Sequence, residues 1–206
     1  MRTNPDLLLI FTRNPELGKC KTRLAAKIGD KAALDIYNFL LQHTVAITRE
    51  LKVDKWVYYS EAIWETDIWD NKHYGKELQE GTDLGERMMN AFQEGFNKGY
   101  EKIIIIGSDL YNLSQTDLEN AFNLLEKHEF VVGPAEDGGY YLLGMRSLKK
   151  ELFQNKNWGN DTVLKATLND LTENDHVLLD TRNDVDHYED IATIAAFQPF
   201  LKHMRK

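Results

Sequence analysis

Apolar positions along the chain form short runs separated by amphipathic stretches, an alternation that predicts strands and helices in turn. The segment "DLLLIFT" (6–12), bounded by Pro5 and Pro15, is typical of a buried strand. The segment "KIIIIGSD" (102–109) is the clearest strand, because its four consecutive isoleucines indicate burial on both faces, as in a parallel sheet. The remaining predicted strands are "DKWVYYS", "EFVVGP", "GYYLLGM" and "HVLLD".

The amphipathic stretches predict helices. In residues 31–51, one helical face carries Leu34, Tyr37, Leu41 and Val45. Gly99 is the expected stop of a helix in residues 83–99, whose inward face carries Leu84, Met88, Ala91, Phe92 and Phe96.

Three further helices are expected. Ser114 opens the first, with Asp117 as its capping-box partner. Asn160 or Asp161 caps a helix in residues 160–171, and "DVDHYEDIATIAAFQPFL" (184–201) is the last helix. Residues 61–80 show no clear pattern. Strands that alternate with helices predict a three-layer α/β fold, and we expect a single domain over residues 1–206.

Composition and charge narrow the class of protein. A chain of 206 residues, 42% of them hydrophobic, suits one α/β core. The net charge of -8 argues against binding to nucleic acid or an anionic membrane, although a local basic pocket remains compatible with it. Cys20 is the single cysteine, which excludes an internal disulfide and favours a reducing compartment. The chain has neither a signal-peptide pattern nor an apolar run of membrane-spanning length, so we expect a cytoplasmic protein.

Unusual residues follow four of the predicted strands. "RNPELGKCKTR" follows the first strand, "GSDLYN" the isoleucine strand, "PAEDGG" the "FVV" strand, and "DTRNDVD" the last strand. Ligands of such sheets bind outside the carboxyl ends of the strands. We therefore expect the four loops to meet at one rim and to form an active site there.

The first of these loops is basic and leads into a helix, whose free N–H groups favour an anion. Around Gly18 it carries Arg13, Lys19, Lys21 and Arg23. Because both residue types bind phosphate, we favour a phosphate site over a solvated basic stretch. The spacing is not that of a Walker A loop. Cys20 has no histidine partner, and we interpret it as structural.

Acidic residues are expected on the same rim. Asp109 ends a buried strand, where a carboxylate is costly unless it is paired or bound to a metal. A divalent metal, Mg²⁺ or Mn²⁺, bridging Asp109 and a diphosphate would explain the mixture of acids and bases. A turn or cap role for Asp109 is the alternative. Asp184 and Asp186 are candidate second ligands, and Asp186 is also a candidate N-cap of the last helix.

Two further motifs leave alternatives open. "GTDLGERM" (81–88) makes Asp83 and Gly85 candidates for nucleotide binding, since glycines permit close backbone approach to a flat ligand. A plain N-cap turn at Asp83 is equally compatible with that sequence. In "GPAEDGGYYLLGM" (133–145), Asp137 and Gly138 supply a hairpin turn, which does not by itself require the neighbouring acid Glu136.

Taken in order, these segments resemble the DUF2064 family: "NPELGKCKTRL", "GTDLGERM", "IIIIGSD", "GPAEDGGYYLLGM", "WGNDTVL" and "DVDHYEDI". Members are described as transferases that accompany arsenosugar or radical-SAM/selenodomain genes, within the nucleotide-diphospho-sugar transferase (GT-A) superfamily. The resemblance spans Leu7 to about Ile191. One departure is that the family usually has Cys-Pro after "GSD", where this chain has Leu110 and Tyr111.

The resemblance implies a Rossmann-like GT-A fold, with a mostly parallel mixed sheet in which "GYYLLGM" is an inserted antiparallel strand. It implies a metal on Asp109, the base or ribose near Asp83, and the acceptor beside Glu136 and Asp137. It also suggests that the segment around Trp158 closes the acceptor pocket. The nucleotide would lie on the first loop at Gly18, Lys21 and Arg23.

Three functions remain in competition. The first is metal-assisted transfer of a sugar from a nucleotide-sugar to a small hydroxyl acceptor, with Asp137 or Glu136 as general base. The second is nucleotidyl transfer from a nucleoside triphosphate to a phosphorylated metabolite, in which Lys21 and Arg23 stabilise the departing pyrophosphate. The third is a non-catalytic nucleotide-binding module. Acids at the acceptor site would repel a phosphorylated acceptor, so the sequence favours glycosyl transfer.

The segment 56–74 is rich in tryptophan and tyrosine. Exposed aromatic residues favour contact surfaces, so an acceptor lid or a homodimer interface is one interpretation. Core packing under a long loop is the interpretation that we favour.

Overall fold

A computed structural model describes residues 4–204, which contain a seven-stranded sheet in the order β3-β2-β1-β4-β6-β5-β7. Strands β1 to β4 are parallel to one another, and β7 is parallel to β5. Strand β6 is antiparallel to both of its neighbours. The predicted mixed sheet with an inserted antiparallel strand is therefore confirmed. The strands are β1 (Asp6–Thr12), β2 (Asp54–Tyr59), β3 (Gly75–Leu78), β4 (Lys102–Gly107), β5 (Phe130–Pro134), β6 (Tyr140–Met145) and β7 (His176–Leu178).

Helices cover both faces of the sheet, which confirms the three-layer α/β, Rossmann-like architecture. On one face α2 and α4 pack against β1 and β4, and on the other α3 packs against the same strands. Short 3₁₀ helices occupy Lys150–Phe153 and Ala195–Met204. The α-helices are α1 (Thr22–Ile28), α2 (Asp30–Thr48), α3 (Leu84–Asn97), α4 (Gln115–Leu124) and α5 (Val163–Asp170).

Local signals at the helix ends explain several boundaries. Ser114 and Asp117 form the predicted capping box of α4. Gly99 adopts a left-handed φ of 85° just after α3. Thr162, not Asn160 or Asp161, is the N-cap residue of α5. Leu84 was predicted to face the core, but it is exposed, because it lies in the first turn of α3 at the edge of the sheet.

The predicted last α-helix is absent from the described part of the chain. Residues 184–194 form turns, in which the Asp190 carboxylate accepts hydrogen bonds from the backbone N–H groups of Asp186 and His187. Such local side-chain bonds compete with a helix. A 3₁₀ helix follows and contains Pro199, which cannot donate to a helical hydrogen bond. Asp186 is therefore not the N-cap of a helix.

Residues 61–80 contribute the edge strand β3 and part of the core. Trp69 and Tyr74 are 2% and 4% exposed and pack under this long connection, in accord with the core-packing interpretation. Lys76 of β3 forms a buried ion pair with Asp67. An interface between two copies of the chain stays a prediction. Within residues 4–204, no helix has the length and apolar character needed to cross a membrane.

Candidate active site

A cavity of about 250 Å³ opens at the carboxyl ends of β1 and β4, at the edge where the loops were predicted to meet. Phe11 of β1 and Gly107 of β4 border it, and Tyr140 borders it at the start of the antiparallel strand β6. Three carboxylates line the cavity: Asp109, Asp137 and Asp184. The structure thus brings together Asp109, Asp137 and Asp184, the last of which is one of the two candidate second ligands.

Lys21 closes one side of this rim. Its side chain is 7% exposed, and its Nζ lies 2.7 Å from Oδ2 of Asp109. Burial opposes the charge of the ammonium group, but the attraction of Asp109, and more distantly of Asp184 and Asp186, raises the pKa of Lys21 overall. Lys21 has a left-handed backbone (φ 50°), which is uncommon for a residue other than glycine. This turn delivers the side chain to Asp109 just before α1 begins.

Buried polar groups hold the first loop to α2 and to the connection that follows β2. The side chain of Asn14 donates to the carbonyl of Ala62 and accepts from two backbone N–H groups, at Glu61 and Ala62. The hydroxyl of Tyr37 accepts a hydrogen bond from the backbone N–H of Arg13 at 2.9 Å. Burial raises the pKa of the Cys20 thiol, which accords with a structural role for this cysteine.

The other cations of the loop are more exposed. Arg23 extends across the rim, and its Nη1 lies 2.7 Å from Oδ2 of Asp186. Gly18 lies at the exposed tip of the loop with a φ of 76°. The guanidinium group of Arg13 forms no ion pair with residues 4–204. The structure therefore brings Lys21 and Arg23 to the acids, whereas Arg13 and Gly18 only share their loop.

Asp184 is the acid without a partner. Its carboxylate makes no hydrogen bond or ion pair with the residues that the structure describes. Burial, together with repulsion from Asp109 and Asp137, raises its pKa to about 6 in spite of the nearby Lys21. The rim therefore holds more negative charge than its own cations neutralise.

A preformed cluster of three or more metal-binding side chains is not found among residues 4–204. Magnesium in nucleotide sites usually takes only one or two carboxylates and completes its shell with phosphate and water. Asp109 and the unpartnered Asp184 fit that requirement, because both line the same cavity. Asp186, the predicted second ligand, instead faces Arg23.

The two adjacent acids of the β5–β6 hairpin point to different places. Asp137 lines the cavity, and its Oδ1 accepts a hydrogen bond from the N–H of Gly139. Glu136 is exposed and outside the cavity lining, and its backbone N–H donates to the carbonyl of Arg182. Gly138 forms the turn with a φ of 86°, as predicted.

Two glycines near the cavity are in close contact with other parts of the chain. A Cβ on Gly85 would lie 2.4 Å from Nε1 of Trp158, so this glycine makes room for an indole ring, and its contact with a nucleotide stays a prediction. A Cβ on Gly138 would lie 2.3 Å from the carbonyl oxygen of Asp161. Asp83 is the N-cap of α3 and accepts from the N–H of Glu86 at 2.8 Å, which agrees with the N-cap alternative.

Sequence reasoning missed the apolar side of the cavity. Phe11, Met88 and Tyr140 line it, and the Tyr140 hydroxyl donates to the sulfur of Met88. The signal for Phe11 and Tyr140 was their position at strand ends on the predicted rim. At the two positions where the family usually has Cys-Pro, Leu110 lines the cavity and Tyr111 packs against Phe39 and Phe197.

A sequence profile described as "Uncharacterized protein conserved in bacteria (DUF2064)" matches residues 42–160, which is more than half of the chain. The chain belongs to the DUF2064 family. The match contains the rim acids Asp109 and Asp137, together with Gly85 and Trp158. A search of curated proteins finds no match for this DUF2064 chain.

Solved structures share the DUF2064 fold. A crystal structure described as a "putative nucleotide-diphospho-sugar transferase from Desulfovibrio desulfuricans G20" is 27% identical, with a TM-score of 0.87, and the match covers 98% of this chain and 96% of that one. A cytidylyltransferase from Leptospira borgpetersenii is 16% identical, with a TM-score of 0.59 and coverage of 98% and 94%. A 4-diphosphocytidyl-2C-methyl-D-erythritol synthase is 13% identical, with a TM-score of 0.58 and coverage of 96% and 100%.

Proposed function

We propose that this protein is a transferase that moves a sugar from a nucleotide-diphospho-sugar to a small hydroxyl acceptor. The observation that carries the proposal is the ion pair between the buried Lys21 and the partly exposed Asp109, at the mouth of an acid-lined cavity. The likeness to a structure described as a nucleotide-diphospho-sugar transferase supports it, since that structure matches nearly the whole chain.

The donor side of the proposed site is the pair of cations on the rim. Lys21 and Arg23 are each held by one carboxylate, and each can exchange that partner for an oxygen of a diphosphate. Their positive charge would then stabilise the departing nucleoside diphosphate. Asp109 and Asp184 would hold Mg²⁺ or Mn²⁺, which supplies further positive charge to the phosphates when it is bound.

The acceptor side of the proposed site is Asp137. Its Oδ1 is held by the N–H of Gly139, so Oδ2 remains available to accept the proton of an acceptor hydroxyl. Glu136 lies outside the cavity lining, and we therefore assign the general base to Asp137 alone.

Nucleotidyl transfer is the second candidate. Lys21 and Arg23 suit a departing pyrophosphate, and two of the similar structures are a cytidylyltransferase and a diphosphocytidyl-methylerythritol synthase. The three carboxylates of the cavity count against it, because they would repel a phosphorylated acceptor.

The test is a thermal-shift comparison of nucleoside triphosphates with nucleotide-sugars, each with and without Mn²⁺. A ligand that binds the native state raises the melting temperature by mass action. We expect a nucleotide-sugar to stabilise the protein more than the matching triphosphate. Stabilisation by triphosphates alone would favour nucleotidyl transfer, and no shift with any nucleotide would contradict both candidates.

The assignment of the base has a matched control in the neighbouring acid. With an identified acceptor, Asp137→Asn should lower kcat by about 100-fold or more, in the range of general-base catalysis. Glu136→Gln should change kcat less than about twofold, because Glu136 is outside the cavity. Equal losses in both variants would refute the assignment.

A further inference from the structure

The cavity has two unlike sides. One side is acidic and comprises the three carboxylates described above, and the lining contains no lysine, arginine or histidine. The other side is apolar and contains Phe11, Met88, Tyr140 and Trp158, which all belong to the packed cluster on the α3 face of the sheet. A compound that fills the cavity must therefore offer an apolar face to one side and hydrogen-bond donors to the other.

The size of the cavity sets a second condition. Its volume of about 250 Å³ lies below the range of about 300–1,000 Å³ that is typical of pockets for drug-sized ligands. A complete nucleotide-sugar is larger than such a space. The cations that suit a diphosphate, Lys21 and Arg23, are not among the residues that line it. The cavity therefore suits one small compound beside the nucleotide.

Trp158, which belongs to the apolar side, lies in a segment that is packed closely against two glycines. Trp158 packs against Gly85 so closely that any side chain there would overlap the indole ring. A few residues on, the backbone of Asp161 packs against Gly138, and the carbonyl of Gly138 accepts a hydrogen bond from the N–H of Leu164. Two glycine contacts thus fix both ends of the wall formed by residues 158–161.

We propose that this cavity is a subsite for a small hydroxyl compound that has an apolar face and no negative charge, and that Trp158 determines which compounds fit. The inference rests on the proposed function, because the compound would be the acceptor. The indole ring of Trp158 packs against the apolar face of the compound, as aromatic side chains do in ligand pockets. The hydroxyl groups donate to Asp137, the acid on the acceptor side, while a carboxylate or phosphate on the compound is repelled by the acids of the lining when no metal is bound.

The experiment is a saturation-transfer NMR titration of the full chain, in buffer that contains neither Mn²⁺ nor nucleotide. The probes are methyl glycosides and cyclohexanediols, each compared with a matching uronate or sugar phosphate. We expect the neutral probes to bind at least about tenfold more tightly than their anionic counterparts. We expect Trp158→Ala to weaken binding of the neutral probes at least about fivefold.

Trp64→Phe is the matched control, since Trp64 packs on the opposite face of the sheet, and it should leave probe binding unchanged. Gly85→Ala forces the indole ring to move, so it should weaken binding of the neutral probes as Trp158→Ala does. If Gly85→Ala does not fold, as judged by circular dichroism, Trp158→Ala decides alone. Anionic probes that bind as well as neutral ones, the absence of binding by all neutral probes, or full binding by Trp158→Ala would each overturn the inference.

Nucleotide binding separates this inference from the function on which it rests. Trp158→Ala should bind a nucleoside diphosphate as tightly as the wild type does. If the wild type binds no nucleotide, the proposed function fails whatever the probes do. If nucleotide binds but the probes behave otherwise than expected, only the acceptor subsite is wrong.

Discussion

Two buried lysines in this molecule have the same exposure and nearly the same ion-pair distance, yet their surroundings differ. Lys21 and Lys76 are each 7% exposed and lie 2.7 and 2.8 Å from a carboxylate. Lys76 also donates to the carbonyls of Trp64 and Glu65, so its ammonium group is satisfied on all sides. Its partner Asp67 accepts further hydrogen bonds from the Tyr59 hydroxyl and the Trp69 N–H.

The pair of Lys21 is open by comparison. Among the described residues, Lys21 donates to Asp109 alone, and Asp109 is 37% exposed on the cavity side. An ammonium group has three donors, so Lys21 retains capacity for another acceptor. A closed pair fixes local structure, whereas an open pair on a strand-end rim keeps bonding capacity for a ligand. This difference separates a structural charge from a candidate functional one.

The largest expected effect is on stability, at the closed pair. Lys76→Met leaves the buried Asp67 without its cation and should lower the free energy of unfolding by about 3–5 kcal/mol. Urea unfolding followed by circular dichroism measures this change. The exposed Lys127→Met should change it by less than about 0.5 kcal/mol. A loss below about 1 kcal/mol in Lys76→Met would remove the contrast between the two pairs.

The next effect is on binding, at the open pair. Lys21→Met should weaken the binding of a nucleoside diphosphate by about 10–100-fold, equivalent to about 1.4–2.7 kcal/mol of binding free energy. Its effect on unfolding should be smaller than that of Lys76→Met, because water can solvate the exposed Asp109. Calorimetric titration and urea unfolding of both variants measure the two quantities. If Lys21→Met mainly destabilised the fold, its ion pair would be structural after all.

The smallest effect comes from the unpartnered acid. The pKa of Asp184 is raised from 3.8 to about 6 in the folded protein, so its contribution to stability falls as pH rises between these values. Asp184→Asn removes this loss, so its free energy of unfolding near pH 7 should exceed that of the wild type by about 1 kcal/mol. This figure is smaller than the full pKa shift would give, because water screens the half-buried carboxylate. The two proteins should converge near pH 4. An equal stability difference across pH would show that Asp184 does not titrate as described.

Where local and tertiary signals agree, the sequence predicted the structure. The four isoleucines of β4 can be buried on both faces only in the middle of the sheet, and Ser114 and Asp117 encode their own capping box. The prediction of a last α-helix was wrong. Ile191, Ile194 and Phe197 recur every three residues, and this spacing is also compatible with turns and a 3₁₀ helix. No sequence pattern around Asp190 predicts that its carboxylate accepts a hydrogen bond from a nearby backbone N–H group.

The site was predictable as far as strand ends specify it. Asp109 and Asp137 follow strands directly, so topology alone places them on the same rim. Trp158 and Gly85 are 73 positions apart in the numbering, and no spacing rule reveals that the glycine admits the indole ring. The choice between Asp184 and Asp186 likewise depends on where Arg23 reaches across the rim.

Calorimetric titration of the wild type and Asp109→Asn with UDP, GDP, CDP and ADP, with and without Mn²⁺, tests the central claim most directly. The open pair on the rim predicts that one of these nucleotides binds the wild type, that Mn²⁺ strengthens binding, and that Asp109→Asn abolishes the strengthening. Strengthening by Mn²⁺ that persists undiminished in Asp109→Asn, or no binding of any of these nucleotides to the wild type, would contradict the claim.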